Sequence, residues 1–271
     1  MSKITTTQLS AVSETLFVPL YYRAEENCRP DPMLKDPRAV EIVEKVDFDF
    51  SWLKGQEFEK TTVLMRARQF DHITGEFLAG NPRGIVVDIG CGLDTRFYRV
   101  DNGSVSWFDL DYPEVIRVRE ELLGSPPPRC QNIAHSALDF QWLDVLQDSR
   151  KQTHLFIAEG VFPYLSEVEI KRLVLQLKTC FPGSELLFDA IPAIFPRFSH
   201  LHPSLKGTKA RAQWGMKDPH DLEKWSDGIR LLSDWHYFDQ LEPRLGAYRL
   251  LRFVPPFARG FRIVHYQLGS E

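Results

Sequence analysis

The chain of 271 residues contains no run of about 18 apolar residues, and its opening, Met-Ser-Lys-Ile-Thr-Thr-Thr-Gln, lacks the apolar stretch of a secretory leader. A membrane span and a cleaved signal are therefore not expected. The sequence predicts a soluble, unprocessed cytoplasmic protein with no membrane partner. Cysteine is scarce: Cys28, Cys91, Cys130 and Cys180 lie far apart and form no Cys-x-x-Cys pair. That pattern argues against a zinc site and a dense disulfide framework, and no metal is expected. Neither sign of charge dominates, since 33 basic residues face 37 acidic ones, so the footprint of a nucleic-acid partner is missing. Repeats and low-complexity segments are also absent. What remains is ordinary globular material, 43% hydrophobic and 26% charged. Single cores grow to about 250–300 residues, so one domain over 1–271 with elaborations is the default.

Within that unremarkable composition one stretch carries chemistry. Val86-Val87-Asp88-Ile89 runs into Gly90-Cys91-Gly92, and nineteen positions after Gly92 stands Asp111, in Trp107-Phe108-Asp109-Leu110-Asp111-Tyr112-Pro113. A β-branched run that breaks into glycines and is answered about 20 residues later by an acid reads as strand, loop, helix, strand and ribose-binding carboxylate. The glycines let a ligand approach backbone that a side chain would block. Thr95 stands where a dinucleotide fingerprint needs its third glycine, which disfavours a nicotinamide oxidoreductase.

The periodicity around this stretch organises the rest. Helical spacing over 8–25, 37–47 and 57–78 predicts a helical cap (1–80) whose last helix leads into the first strand. Further strands are expected at 105–110, 132–137, 155–159 and 185–190, and Ser166 with Glu169 predicts a capped helix start. Alternation of this kind over 81–190 means a parallel sheet with helices on both faces. Segments 248–254 and 261–268 read as a terminal antiparallel hairpin within 244–271. Between them and the fifth strand lies an aromatic insertion, 191–243, read as a substrate lid carrying Phe195, Phe198, Trp214, Trp225 and Trp235.

Gly-Cys-Gly-Leu-Asp-Thr-Arg-Phe-Tyr-Arg at 90–99, Phe-Asp-Leu-Asp-Tyr-Pro at 108–113 and Ala-Glu-Gly-Val-Phe-Pro-Tyr-Leu at 158–165 resemble the leucine carboxyl methyltransferase family. The nearer likeness is to its bacterial branch of tetracenomycin-type polyketide O-methyltransferases. The family belongs to the class I S-adenosylmethionine-dependent methyltransferases. The resemblance implies an α/β, Rossmann-like fold with a seven-stranded, mostly parallel sheet. S-adenosyl-L-methionine is the implied cofactor and S-adenosyl-L-homocysteine the product.

The implied reaction is O-methylation of a small-molecule carboxyl or hydroxyl, in polyketide or other secondary metabolism. A protein C-terminal carboxylate as acceptor and a catalytically silent cofactor-binding protein are the alternatives. Homodimer formation stays open. The resemblance assigns Asp111, beside Leu110, to the ribose and Asp139, with Phe140 as apolar wall, to the adenine. It assigns Arg66 to the methionine carboxylate, in preference to Arg68, and Glu159 to the region of the ammonium. Asp88 organises the loop of Gly90, Cys91 and Gly92. An ordinary helix N-cap is the competing role for Asp139. A hydroxyl acceptor needs a general base and a carboxylate does not. The candidates for that chemistry are Tyr164, His200 and His202, with His220 and His236 behind them.

Overall fold

The computed structural model describes residues 4–5, 13–197, 211–254 and 257–269. Seven strands form one sheet: β1 (Ile85–Ile89), β2 (Ser106–Asp111), β3 (Cys130–Ala134), β4 (His154–Ala158), β5 (Ser184–Ala190), β6 (Ile229–His236) and β7 (Arg262–Leu268). Their order is β3-β2-β1-β4-β5-β7-β6. The first five are parallel, and β7 runs antiparallel to both β5 and β6.

Strands β1 and β4 are buried throughout, as befits central parallel strands with both faces covered. Alternate residues serve opposite layers. Val87, Phe156 and Leu186 pack with Ile170, Leu173 and Leu177, which lie on the helix Glu167–Cys180. Val86, Leu155 and Leu187 pack with Phe70, Ile73 and Phe77 of the long helix Glu57–Gly80. The first of these helices opens with the expected capping box between Ser166 and Glu169, which satisfies backbone donors left over at a helix start.

The cap is built on the helices Phe17–Glu26 (α1) and Pro37–Lys45 (α2), ahead of Glu57–Gly80 (α3). Buried Arg23 of α1 donates to Asp36 Oδ2 at 2.9 Å and to the Leu93 carbonyl at 2.9 Å. The Thr95 hydroxyl donates to the same Asp36 oxygen at 2.5 Å. The threonine in the third-glycine position thus joins the glycine loop to the cap.

One expectation is corrected at the terminal edge. The antiparallel edge exists, but β7 pairs with 229–236 and not with 248–254. Residues Pro243–Phe253 form 3-10 turns, in which Tyr248, Leu250 and Phe253 are exposed. Their apolar residues do not alternate as a half-buried strand requires. The strand that does form, Ile-Arg-Leu-Leu-Ser-Asp-Trp-His, is polar enough to hide its pattern because it lies at an edge and bulges between Leu231 and Ser233. Segment 191–243 therefore contributes an edge strand as well as covering material. Among the described residues no helix is long and apolar enough to cross a membrane.

Candidate functional site

Sequence order reverses between β1 and β4, and open α/β sheets bind ligands outside the strand ends at such a point. Of the residues singled out in the sequence, the glycine turn, Asp88, Asp111, Arg66 and Glu159 lie at these strand ends. After β1 the chain turns through Gly90 (φ +70°) and Gly92 (φ +49°), conformations that favour glycine. The amides of Gly90 and Cys91 both donate to the Leu110 carbonyl, at 2.7 and 3.1 Å. A β-carbon on Gly90 would lie 2.5 Å from Val161 Cγ2, and one on Gly92 would lie 2.8 Å from Leu16 Cδ2.

The two acids of β2 divide their work. Asp111, at the strand end, accepts from the Gly92 amide at 2.8 Å and from its neighbour Tyr112 at 2.7 Å. Burial pushes its carboxyl up, against those two donors. Asp109 is tied beneath the loop by Trp107 Nε1 at 2.9 Å and Arg119 Nη2 at 2.6 Å. Arg119 also donates to the carbonyls of Gly92 and Asp94, at 3.2 and 2.5 Å, so Asp109 braces the loop. Asp88 is 2% exposed, and its Oδ2 has no hydrogen-bond partner among the described residues. Burial first, and then the charge of Asp94, raises its carboxyl well above the ordinary range.

At the end of β4, Glu159 accepts from Arg66 Nε at 2.8 Å and from Arg96 Nη2 at 2.5 Å. Burial opposes its charge, but the two guanidinium groups outweigh it and hold the carboxyl below the usual range. Arg66 Nη1 also reaches Asp189 Oδ2 at 3.1 Å. Asp189, next to last in β5, accepts from the Gly160 amide at 2.5 Å. There burial wins over Arg66, and the Asp189 carboxyl is raised. Arg68 is exposed, 4.0 Å from Glu242.

Arg66, Gly160, Tyr164 and Asp189 border a cavity of about 610 Å³. That volume lies within the range of small-molecule sites. Its walls include Phe58 and Thr62 of α3, with Tyr237, Phe238 and Phe261 from the C-terminal part. The glycine turn and Asp111 do not line it, so the strand ends carry two adjoining features with Arg66 between them.

Asp139 is exposed and caps the turn that follows it, accepting weakly from the Gln141 amide at 3.4 Å. Phe140 next to it lies under the Arg172 guanidinium at 4.8 Å. Of the aromatic residues assigned to a lid, Phe195 lines the cavity. Trp214 and Trp225 belong with the main core, Trp235 stacks edge-on against Tyr237 at 5.0 Å, and Phe198 lies outside the described residues. His200 and His202 also lie outside the described residues. His220 is exposed and paired with Glu223 at 2.7 Å, while His236 faces Asp234 at 3.1 Å; neither lines the cavity.

Sequence reasoning missed Asp189, Tyr237 and Glu59. Asp189 lies one residue before the end of the predicted fifth strand and could have been found by the rule that exposed Glu159. Tyr237 sits in an irregular turn with no motif. Glu59 reads as a helix-start acid until the cavity is seen.

Comparison with known proteins agrees with this architecture. A model of the leucine carboxyl methyltransferase family matches residues 17–178. The tetracenomycin polyketide synthesis O-methyltransferase TcmP of Streptomyces glaucescens is 32% identical, covering 96% of this chain and 98% of that one. The S-adenosyl-L-methionine-dependent methyltransferase dpfgK of Gibberella zeae is 27% identical over 82% of this chain and 81% of its own length. In fold, a crystal structure of a DUF574-family protein from Streptomyces avermitilis superposes with a TM-score of 0.60 at 14% identity, covering 95% of this chain and 99% of that one.

Proposed function

The chain belongs to the leucine carboxyl methyltransferase family, and from that premise we propose that it transfers a methyl group from S-adenosyl-L-methionine to a carboxyl or hydroxyl oxygen of a small molecule, in the polyketide or secondary-metabolite class. The observation that carries this reading is the contiguity of the glycine turn, Asp111 and Glu159 with an aromatic-walled cavity at Arg66.

The residues present fit the cofactor. The turn at Gly90 and Gly92 offers bare backbone, and Asp88 keeps a buried carboxyl oxygen with no described partner. Asp111 would accept from ribose hydroxyls, while Asp139 and Phe140 would flank the adenine. Arg66 would take the amino-acid carboxylate with a planar, multi-donor head. Asp88 and Glu159 would stand near the ammonium. When bound, the cofactor supplies a methyl group on a sulfonium, and a neutral thioether leaves. Little covalent help is then needed from the protein, whose task is alignment and exclusion of water. The apolar cavity wall suits both.

Calorimetric titration with S-adenosyl-L-homocysteine, with NADH as control, tests the reading. Micromolar affinity for the first alone is expected. Binding of NADH, or of neither, refutes it.

A further inference from the structure

Tyr237 follows β6 directly, in the 3-10 turn Tyr237–Gln240. Its amide donates to the Phe261 carbonyl at 3.3 Å, which ties the turn to the residue before β7. Its ring packs with Phe70 and Ile73 of α3, Ile157 of β4 and Leu187 of β5, and it meets Trp235 edge-on. The residue is 6% exposed, so close packing holds the ring in place. Its hydroxyl is the exception. Unlike the hydroxyl of Tyr22, which is sealed in the interior without a partner, that of Tyr237 opens on the cavity. Among the described residues no group hydrogen-bonds it. Buried polar groups are normally paired, and a rigidly held phenol that is left unpaired at a cavity wall is a donor available to a ligand.

Other polar groups of the lining are committed. The Thr62 hydroxyl donates to the Glu59 carbonyl at 2.9 Å, and the Gln56 side chain donates to the Trp52 carbonyl at 2.6 Å. Arg66 is held by Glu159 and Asp189. Tyr248 also lines the cavity but is 54% exposed. The charges that bear on Tyr164 are those of Arg66, Asp189 and Glu59, whereas those that bear on Tyr237 are Arg66, Asp189 and Glu159. Glu159 is joined through Arg96 to Asp94 beside the glycine turn, while Glu59 lies two turns of α3 away from Arg66. Tyr237 therefore stands at the end of the cavity nearest the cofactor-binding residues, where an acceptor oxygen has to lie. Burial pushes its phenol well above the ordinary range, against the pull of Arg66, so the hydroxyl keeps its proton and serves as a donor, not as a base.

We propose that Tyr237 binds the methyl acceptor by donating its phenolic hydrogen to an acceptor oxygen that carries negative charge, an inference that rests on the methyltransferase reading above. A carboxylate or a phenolate supplies such an oxygen. A hydrogen bond to an ionised acceptor is short and strong. The packed ring fixes where that oxygen sits before the acceptor arrives, which is the alignment that methyl transfer requires. No proton changes hands at Tyr237.

The test uses the full chain saturated with S-adenosyl-L-homocysteine and two pairs of probes, 2-naphthoate with naphthalene and 4-nitrophenolate with nitrobenzene. Each pair shares a ring and differs in the anionic group. Affinity is measured by equilibrium dialysis at pH 8, where both anions are ionised. The wild type should bind at least one anion more tightly than its neutral partner, and in Tyr237→Phe that anion should weaken about 10- to 100-fold. The neutral probes and S-adenosyl-L-homocysteine should bind as before. Which anion responds tells a carboxylate acceptor from a phenolate. Because the hydroxyl has no described protein partner to lose, the Tm of the variant should stay within about 2 °C of wild type or rise. A loss below tenfold for both anions overturns the proposal, as does equal weakening of the neutral probes. A larger fall in Tm does so too, since the hydroxyl would then serve the fold. A wild type that prefers neither anion over its neutral partner overturns it even where the variant fails to fold. Failure of the wild type to bind S-adenosyl-L-homocysteine at all sinks the methyltransferase reading itself.

Discussion

Replacing Arg66 by Met keeps most of the side-chain volume and removes the charge that joins α3 to the ends of β4 and β5. The Arg66 side chain is 19% exposed, and its partners Glu159 and Asp189 are 12% and 7% exposed, so solvent screens these pairs little. Removing one partner of a buried pair costs about 3–5 kcal/mol. Here Glu159 keeps Arg96 and Asp189 keeps the Gly160 amide, which puts the expected loss near the lower limit, about 3 kcal/mol.

The pH dependence gives the sharper signature. Burial already raises Asp189, and Arg66 opposes that rise, so in Arg66→Met the folded-state pKa moves further above its unfolded value. The folded variant then holds this proton more tightly than the unfolded chain. Its penalty is complete above the raised folded pKa and fades as pH falls toward the ordinary aspartate range near ~4. Urea unfolding followed by circular dichroism at several pH values from 5 to 8.5 measures the deficit. Adding Asp189→Asn to the variant should recover part of it, because that buried charge is then gone. In parallel, affinity for S-adenosyl-L-homocysteine should fall by about 2 kcal/mol, roughly 30-fold. A stability loss under about 1 kcal/mol, or a deficit indifferent to pH, would refute the reasoning. Unchanged ligand affinity would hand the carboxylate-binding role to another group, with Arg68 the first to test.

Gly90→Ala places a β-carbon 2.5 Å from Val161 Cγ2 at φ +70°. A loss of about 2–3 kcal/mol is expected, about 4–5 °C in Tm; a thermal scan within a degree of wild type would mean the turn does not need glycine. Asp111→Ala deprives the Gly92 and Tyr112 amides of their acceptor. It should cost about 1–3 kcal/mol while leaving the far-UV spectrum intact, and calorimetry should show S-adenosyl-L-homocysteine binding weakened at least about tenfold. A variant that binds as tightly as wild type places the ribose contact elsewhere.

The parallel core was legible because each of its signals is local. Central strands bury both faces and so appear as short apolar runs between breakers, and the glycine turn and the Ser166 capping box are encoded within a few residues. The edge strand Ile229–His236 was not legible. One flank of an edge strand faces solvent, so its composition carries little of the pattern that marks a core strand. The aromatic insertion was read as one lid because aromatic content alone does not distinguish a cavity wall from a core. Phe195 became the former and Trp214 the latter.

By itself, the sequence determined the alternation of strands and helices, the glycine turn with an acid nineteen residues on, and a second acid ending the fourth strand, all set by spacing along the chain. Only the tertiary structure decided which charges meet. Arg66 and Glu159 are 93 positions apart, and Arg66 and Asp189 are 123 apart. No local pattern encodes such pairs, because they arise when a helix before the sheet packs across the ends of β4 and β5. The same packing buries Glu59 against a cavity and makes an ordinary helix-start acid into one that titrates near neutral pH. Desolvation is a property of the whole surroundings, and no single stretch of chain carries it.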